Sequence, residues 1–172
     1  QTIFLFGGSQ GSAYLNQMMS QIAETISGAG IQVLWQTGDL EYVKYKSLES
    51  DSIRIVPFVN NMADAYAISD LLVCRSGALT LAEITVCGKP AILIPFPHAA
   101  GNHQQKNAEA LVKSGAAKIL FEKSLTPKVL MHAIMNLIHN KEKLNNMGLA
   151  SKELGRPNAT TEIVDHILGK AQ

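Results

Sequence analysis

The chain has 172 residues, of which 47% are hydrophobic and 17% are charged. This length fits one domain with a core that needs no disulfides, and the composition excludes a disordered or low-complexity chain. Fifteen Lys and Arg against fourteen Asp and Glu give a net charge of +1. Because nucleic-acid-binding domains carry a basic surface, no nucleic-acid partner is expected.

Short apolar runs predict the strands of a sheet. They are Thr2–Phe6, Gln32–Gln36, Ile53–Val56, Leu71–Cys74, Ala91–Pro95 and Lys118–Phe121. The runs lack in–out alternation, which is typical of strands buried on both faces. Each is much shorter than the roughly 20 apolar residues that span a membrane. Because the chain starts at Gln1, without a Met and directly before the first run, we expect it to be one domain cut from a longer protein.

Stretches with helical spacing of apolar residues separate these runs. The predicted helices are Ser12–Ala29, Met62–Ile68, Leu79–Cys87, His103–Lys113, Thr126–His139, Lys141–Leu154 and Ala159–Leu168. Strands that alternate with helices indicate βαβ units with right-handed crossovers. The sequence therefore predicts an α/β fold: a Rossmann-like, doubly wound parallel sheet of about six strands with a helical C-terminal tail.

Ligands of open α/β sheets bind outside the carboxyl ends of the strands. This rule selects the loops Gly7–Gly11, Thr37–Leu40, Pro57–Asn61, Arg75–Thr80 and Pro95–Gln105.

The first loop reads Gly7-Gly8-Ser9-Gln10-Gly11 and opens a predicted helix. Gly7, Gly8 and Gly11 allow the backbone to approach a ligand closely, and a helix N-terminus attracts anions. The loop is neither GxGxxG nor a P-loop. Phosphate binding and a tight turn with nothing bound both fit this pattern.

The fourth loop leads into a helix whose first amides belong to Ala78, Leu79 and Thr80. With the Thr80 hydroxyl they form a possible cradle for a diphosphate. Glu83 lies one turn further on, where a carboxylate could accept two hydrogen bonds from a ribose diol. The alternative is that Glu83 complements the helix dipole or pairs with Arg75.

The fifth loop ends at two adjacent amides, Gln104 and Gln105. Side-chain amides carry donors and acceptors together, which suits sugar hydroxyls, although helix capping and solvent exposure also explain them. His98 and His103 lack a third ligand at a suitable spacing, so no metal is expected.

The remaining candidates are less specific. The Phe58–Val59 segment after the third run could contact a base or only pack. Asp39 and Glu41 are interpreted as solvated residues of a turn. Cys74 and Cys87 are interpreted as buried structural thiols, which fits a reducing cytoplasm.

These loops, in this order, resemble the C-terminal domain of the MurG-type N-acetylglucosaminyltransferases of bacterial cell-wall synthesis. The resemblance spans about residues 3–120 and rests on Gly7–Gly11, Phe58–Met62 with Tyr66 and Asp70, Arg75–Thr80 with Glu83, Gly88–Pro90, Pro95–Pro97 and His103–Ala108. It implies one half of a GT-B fold, in which the C-terminal of two Rossmann-like domains holds the donor.

The resemblance implies transfer of N-acetylglucosamine, with inversion and without a metal or cofactor, from its UDP donor to lipid I, forming lipid II. It places the enzyme peripherally on the cytoplasmic side of the bacterial membrane. Val59 would contact uracil through its backbone, and Glu83 would hold the ribose hydroxyls. The diphosphate would be faced by Ser9, Ala78, Leu79 and Thr80. The sugar hydroxyls would be bound by Gln104 and Gln105.

The family's acceptor and membrane contacts lie mainly in its N-terminal domain, which is not in this chain. The sequence offers no convincing general base either, so we expect the chain alone to bind UDP weakly with little or no transfer. Alternatives are one subunit of a two-subunit dolichol-linked N-acetylglucosaminyltransferase, and a UDP-sugar-binding or epimerase-like module. A non-catalytic NAD-binding domain is a further alternative, but the missing GxGxxG argues against it.

Overall fold

A computed structural model describes residues 1–169 of the chain. Its parallel strands are β1 (Thr2–Phe6), β2 (Gln32–Gln36), β3 (Ile53–Val56), β4 (Leu71–Cys74), β5 (Ala91–Leu93) and β6 (Ala117–Ile119). They form a six-stranded sheet in the order β3-β2-β1-β4-β5-β6. This confirms the predicted doubly wound α/β fold, in which the strand order reverses between β1 and β4.

The helices lie between the strands and after the last one. They are α1 (Ala13–Ser20), α2 (Ala23–Gly28), α3 (Asp39–Tyr45), α4 (Met62–Ile68), α5 (Ala78–Cys87), α6 (His103–Lys113), α7 (Pro127–Ile138), α8 (Lys141–Glu153) and α9 (Ala159–Ile167). The Ser12 and Thr126 side chains cap α1 and α7 by accepting hydrogen bonds from the amides three residues on. Such caps satisfy backbone donors that have no partner within the helix. Within residues 1–169, no helix combines the length and apolar content needed to cross a membrane.

Three predicted elements differ from the structure. The predicted helix Ser12–Ala29 is two helices, α1 and α2, because Ile22 leaves helical geometry at φ −126° while it stays buried against the core. β5 ends at Leu93, since Pro95 has no N–H to continue the ladder. β6 covers Ala117–Ile119 rather than Lys118–Phe121, because the chain turns at Phe121 into a 3-10 helix at Glu122–Ser124.

Helix α3 was not predicted, and the interpretation of its start as a turn is wrong, although Asp39 is exposed to solvent as expected. Asp39 and Glu41 lie in its first turn, and Glu41 is partly buried and 3.7 Å from the Lys44 ammonium. Only Tyr45 of this helix is buried, whereas Leu40 is 96% exposed. The helix therefore packs no apolar stripe against the core, since its apolar residues Leu40 and Val43 both face solvent.

Two apolar cores, one on each face of the sheet, account for the continuous apolar strands. Ile3 and Leu5 belong to the core under α1, α2 and α7, whereas Phe4 and Phe6 belong to the core under α4, α5 and α6. Cys74 is buried as expected, but Cys87 is exposed, so its assignment as a buried thiol is wrong. Cys87 is the last residue of α5, where Gly88 turns the chain in the left-handed region.

Candidate functional site

A cavity of about 550 Å³ opens at the carboxyl ends of the strands. Its walls are the β1–α1 loop together with Arg75, Phe96, Gln104 and Glu122. A larger depression of about 1130 Å³ lies at the amino ends, beside the α5–β5 turn and α8. Because ligands of doubly wound sheets bind at the carboxyl ends, the smaller cavity is the candidate site.

The glycines of the β1–α1 loop are required for different structural reasons. A Cβ at Gly7 would collide with the Ser12 amide, and one at Gly11 would collide with the Thr37 carbonyl. Gly8 has a φ of +90°, and a Cβ there would meet no atom within 4 Å. Packing alone therefore explains Gly7 and Gly11, whereas Gly8 and the exposed Ser9 present an open backbone to the cavity.

The N-terminus of α5 has free hydrogen-bond donors. Gly77 is its N-cap, and within the described residues no side chain caps the helix. The amides of Ala78, Leu79 and Thr80 precede the first intrahelical bond, which runs from the Leu81 amide to the Gly77 carbonyl over 3.0 Å. Such a terminus has a partial positive charge and can accept an anion.

Glu83 lies on α5 with an exposed side chain that is held from one side. Its Oε2 accepts a hydrogen bond from the buried Tyr66 hydroxyl over 2.7 Å. Burial, and after it the hydrogen bond to Glu83, raise the pKa of Tyr66 far above its ordinary value, so the hydroxyl remains a donor. The alternative in which Glu83 pairs with Arg75 is wrong, because Arg75 pairs with Glu122 instead.

Arg75 is the most connected polar side chain of the site, and the sequence did not reveal this. Its Nη2 lies 2.5 Å from a Glu122 carboxylate oxygen and 2.9 Å from the Ser12 hydroxyl. Its Nη1 donates to the carbonyl oxygens of Ile94 and Pro95 at 3.1 and 3.3 Å. Arg75 therefore joins the loops after β1, β4, β5 and β6. A lone Arg directly after a buried strand was the available signal.

The two predicted sugar-binding amides lie in different surroundings. The Gln104 side-chain oxygen accepts the backbone amides of Phe96 and Ser76 at 3.0 and 3.3 Å, and Gln104 lines the cavity. Gln105 is exposed, donates to Glu109 over 2.7 Å and does not line the cavity. The structure thus brings Gln104, but not Gln105, into the cavity wall.

Val59 lies on the loop after β3, outside the cavity wall. Its backbone amide donates to the side-chain oxygen of Gln36 over 2.9 Å, so its carbonyl oxygen is the group left to meet a base. Gln36 was missed because it stands at the end of a strand rather than in a loop. His98 and His103 are exposed, and residues 1–169 contain no group of three or more His, Cys, Asp or Glu placed to hold a metal ion.

A doubly wound sheet with an open glycine turn and an uncapped helix N-terminus at its switch point defines the Rossmann-like class of domain. The family follows from a sequence match over residues 2–163 to the model of the glycosyltransferase family 28 C-terminal domain. The chain belongs to this family, as the motifs of its loops predicted.

Two relatives carry the name UDP-N-acetylglucosamine--N-acetylmuramyl-(pentapeptide) pyrophosphoryl-undecaprenol N-acetylglucosamine transferase. The relative from Bacillus cytotoxicus is 40% identical over 170 residues, covering 96% of this chain and 47% of its own length. The relative from Geobacter sulfurreducens is 41% identical over 175 residues, with coverages of 99% and 48%. The chain therefore spans about half the length of the curated relatives it matches.

Solved structures agree with the fold. MurG from Acinetobacter baumannii superposes with a TM-score of 0.87 and 32% identity, over 98% of this chain and 49% of that one. MnaA from S. aureus, solved with UDP, superposes with a TM-score of 0.72 and 14% identity, over 99% of this chain and 46% of that one. At that identity the second likeness concerns the fold alone.

Proposed function

We propose that the chain is the donor-binding domain of an inverting glycosyltransferase that moves N-acetylglucosamine from UDP-N-acetylglucosamine to lipid I, forming lipid II. The names of the relatives and the family support this. The observation that carries the proposal is the hydrogen bond from Arg75 to Ser12, 2.9 Å long, across the switch point. It ties the β1–α1 loop, which contains the Gly8 turn, to the loop that leads into α5.

Each part of the donor has a proposed partner. The amides of Ala78, Leu79 and Thr80, with the Thr80 hydroxyl and the Gly8–Ser9 backbone, would hold the diphosphate. Glu83, oriented by Tyr66, would accept both ribose hydroxyls. The Val59 carbonyl would accept the N3–H of uracil, since the Val59 amide is already bonded to Gln36.

The N-acetylglucosamine group would bind Gln104, which already lines the cavity. Two backbone amides fix the Gln104 carbonyl oxygen, which leaves the NH₂ group to donate to a sugar hydroxyl. Gln105 would reach the sugar only after its side chain leaves Glu109.

In an inverting transfer the acceptor oxygen attacks the anomeric carbon on the face opposite the diphosphate, and the bond from that carbon to the diphosphate oxygen breaks. Fixed amides at the α5 N-terminus would stabilise the negative charge that develops on the leaving diphosphate. We infer that the general base, the lipid I site and the peripheral contact with the cytoplasmic face of the membrane belong to the rest of the protein. The chain alone then binds the donor without transferring its sugar.

Isothermal titration calorimetry with UDP, UDP-N-acetylglucosamine, UDP-glucose and NAD tests the proposal. We expect the first two to bind and Glu83→Ala to weaken both at least tenfold, about 1.4 kcal/mol. Glu24→Ala is the matched control, because Glu24 is an exposed acid in the first turn of another helix, α2. A preference for NAD, or equal losses in the two variants, contradicts the proposal.

A further inference from the structure

Gln36 is a buried amide that joins two loops of the site. It is the last residue of β2 and only 2% exposed. Its Oε1 accepts the Val59 amide over 2.9 Å, and its Nε2 donates to the Gly8 carbonyl, also over 2.9 Å. Both ends of one planar group are therefore used, each on a different loop.

We propose that Gln36 is a positioning residue for the donor: it fixes the separation between the loop that carries Val59 and the loop that carries Gly8. The inference rests on the proposed function, in which Val59 meets the base and the Gly8 turn meets the diphosphate. A nucleoside diphosphate spans both loops, so its affinity depends on their spacing. A fragment that contacts one loop does not depend on it.

The residue type follows from the two partners. One contact needs an acceptor for the Val59 amide, and the other needs a donor for the Gly8 carbonyl, which a side-chain amide supplies together. The backbone amides of Thr37 and Gly38 donate to the carbonyl oxygens of Val56 and Pro57. These bonds join the segment after β2 to the segment after β3 only as far as Pro57. Gln36 extends this connection to Val59 and, on its other side, to the Gly8 turn.

Gln36→Met tests the proposal, because Met fills a similar volume without either hydrogen bond. Calorimetry on the 172-residue chain would compare UDP with uridine and with inorganic pyrophosphate. We expect the Kd of UDP to rise about tenfold, while the values for the two fragments change less than about twofold. Gln36→Glu keeps the acceptor for Val59 but loses the donor for Gly8, so UDP binding should fall to a similar extent.

Asn16→Leu is the matched control for general loosening. Asn16 is also a buried amide with two hydrogen bonds, from Trp35 and to the Thr37 carbonyl at 2.9 and 2.8 Å, but neither bond is to Val59 or Gly8. We expect it to lower stability as Gln36→Met does while leaving the Kd of UDP within twofold. Amide hydrogen exchange adds a ligand-free readout: Val59 protection should be lost in Gln36→Met only.

The outcomes separate the two proposals. If the unaltered chain binds UDP and Gln36→Met binds it equally well, the positioning role is wrong and the proposed function stands. The positioning role is also wrong if Asn16→Leu raises the Kd of UDP as much as Gln36→Met does. It is wrong as well if Gln36→Met raises the Kd of uridine and of pyrophosphate as much as that of UDP. If the unaltered chain binds no UDP, the proposed function fails, and the role of Gln36 in donor binding fails with it.

Discussion

Arg75 and Lys89 are two cations that each donate to two backbone carbonyls, at opposite ends of the sheet. Arg75 joins four loops at the carboxyl ends and is only 8% exposed. Lys89 at the amino ends is partly exposed and donates to the Ala67 and Ser69 carbonyls at 3.3 and 2.9 Å. Arg75 pairs with Glu122, whereas no carboxylate in the described part of the chain pairs with Lys89.

The difference lies in burial and in what each cation holds. Lys89 can replace its carbonyl partners with water, so its loss affects a local turn. Arg75 shields a carboxylate in a place with little water, and it holds the loops that form the candidate site. The carboxyl end of the sheet is thus built from buried polar side chains that link loops, and these links can be removed one at a time.

The largest expected effect is that of Arg75→Met. Removing the guanidinium leaves Glu122 largely buried without its partner, and breaking a buried pair typically costs about 3–5 kcal/mol. Lys89→Met should cost about 1 kcal/mol or less. Urea unfolding of both variants measures the difference. If the double variant Arg75→Met/Glu122→Gln is more stable than Arg75→Met, the ion pair is supported. If Arg75→Met and Lys89→Met lose equal free energy of unfolding, the contrast between the two ends of the sheet is wrong.

The next effect separates two glycines of the β1–α1 loop. Gly11→Ala combines a positive φ with a collision against the Thr37 backbone, so we expect a loss of about 3 kcal/mol. Gly8→Ala has the unfavourable φ but open space around it, which predicts about 1–2 kcal/mol. Thermal or urea unfolding ranks the two. A larger loss for Gly8→Ala would show that the loop packs differently.

The order of the two variants in UDP affinity should be the reverse of their order in stability, because Gly8 borders the cavity with open space around it, whereas Gly11, which also borders the cavity, packs against the Thr37 backbone. We expect Gly8→Ala to weaken UDP more than Gly11→Ala does, once both are measured at a temperature where each variant is fully folded. Calorimetry gives both values. Equal Kd values for the two variants would assign Gly8 a purely structural role.

The sequence predicted the fold well because burial dominates it. Strands such as Thr2–Phe6 and Leu71–Cys74 are apolar on both faces, and their bounds were predicted correctly. Helix α3 was missed because its apolar residues Leu40 and Val43 point to solvent. The spacing of apolar residues predicts an element when those residues are buried on one face. An element with few buried residues is therefore difficult to predict from this spacing.

The candidate site was only partly predictable for a related reason. Loop positions and residue types identified Glu83 and Gln104, but hydrogen bonds between distant loops do not follow from either. Gln36 reaches Gly8 across 28 positions, and Arg75 reaches Ser12 across 63. Such pairings depend on strand order, which the sequence did not specify, so the linking side chains became visible only in the folded chain.

A pH-dependent effect is expected from Tyr66. Its pKa is raised in the folded chain, so above about pH 10 an unfolded chain releases this proton while the folded chain keeps it. The unfolded state then binds fewer protons, and the free energy of unfolding falls as pH rises. The stability that Tyr66 contributes is fully present below about pH 10 and is lost above it.

Tyr66→Phe isolates this contribution. We expect a loss of about 1 kcal/mol near neutral pH from the hydrogen bond to Glu83, and a shallower fall of stability from about pH 10 to 11 than in the unaltered chain. Because Glu83 loses its orienting donor, the Kd of UDP should rise about threefold to tenfold. Parallel pH profiles in the two proteins would contradict the buried position of the hydroxyl.

The smallest effects distinguish the two adjacent glutamines. Gln104→Ala removes the acceptor of the Ser76 and Phe96 amides, so it should cost about 1–2 kcal/mol of stability and weaken UDP-N-acetylglucosamine severalfold. Gln105→Ala removes only an exposed contact with Glu109, so its stability should change by less than about 0.5 kcal/mol.

Binding of the sugar decides what Gln105 does. If it leaves Glu109 to meet the sugar, Gln105→Ala weakens UDP-N-acetylglucosamine by about twofold to threefold and leaves UDP unchanged, since UDP has no sugar to contact. Glu109→Ala frees the Gln105 side chain, so it should slightly increase the affinity for UDP-N-acetylglucosamine and leave the affinity for UDP unchanged. Calorimetry of both ligands with both variants measures this. Unchanged affinities in all four titrations would restrict sugar recognition by this pair to Gln104, which is the one of the two that lines the cavity.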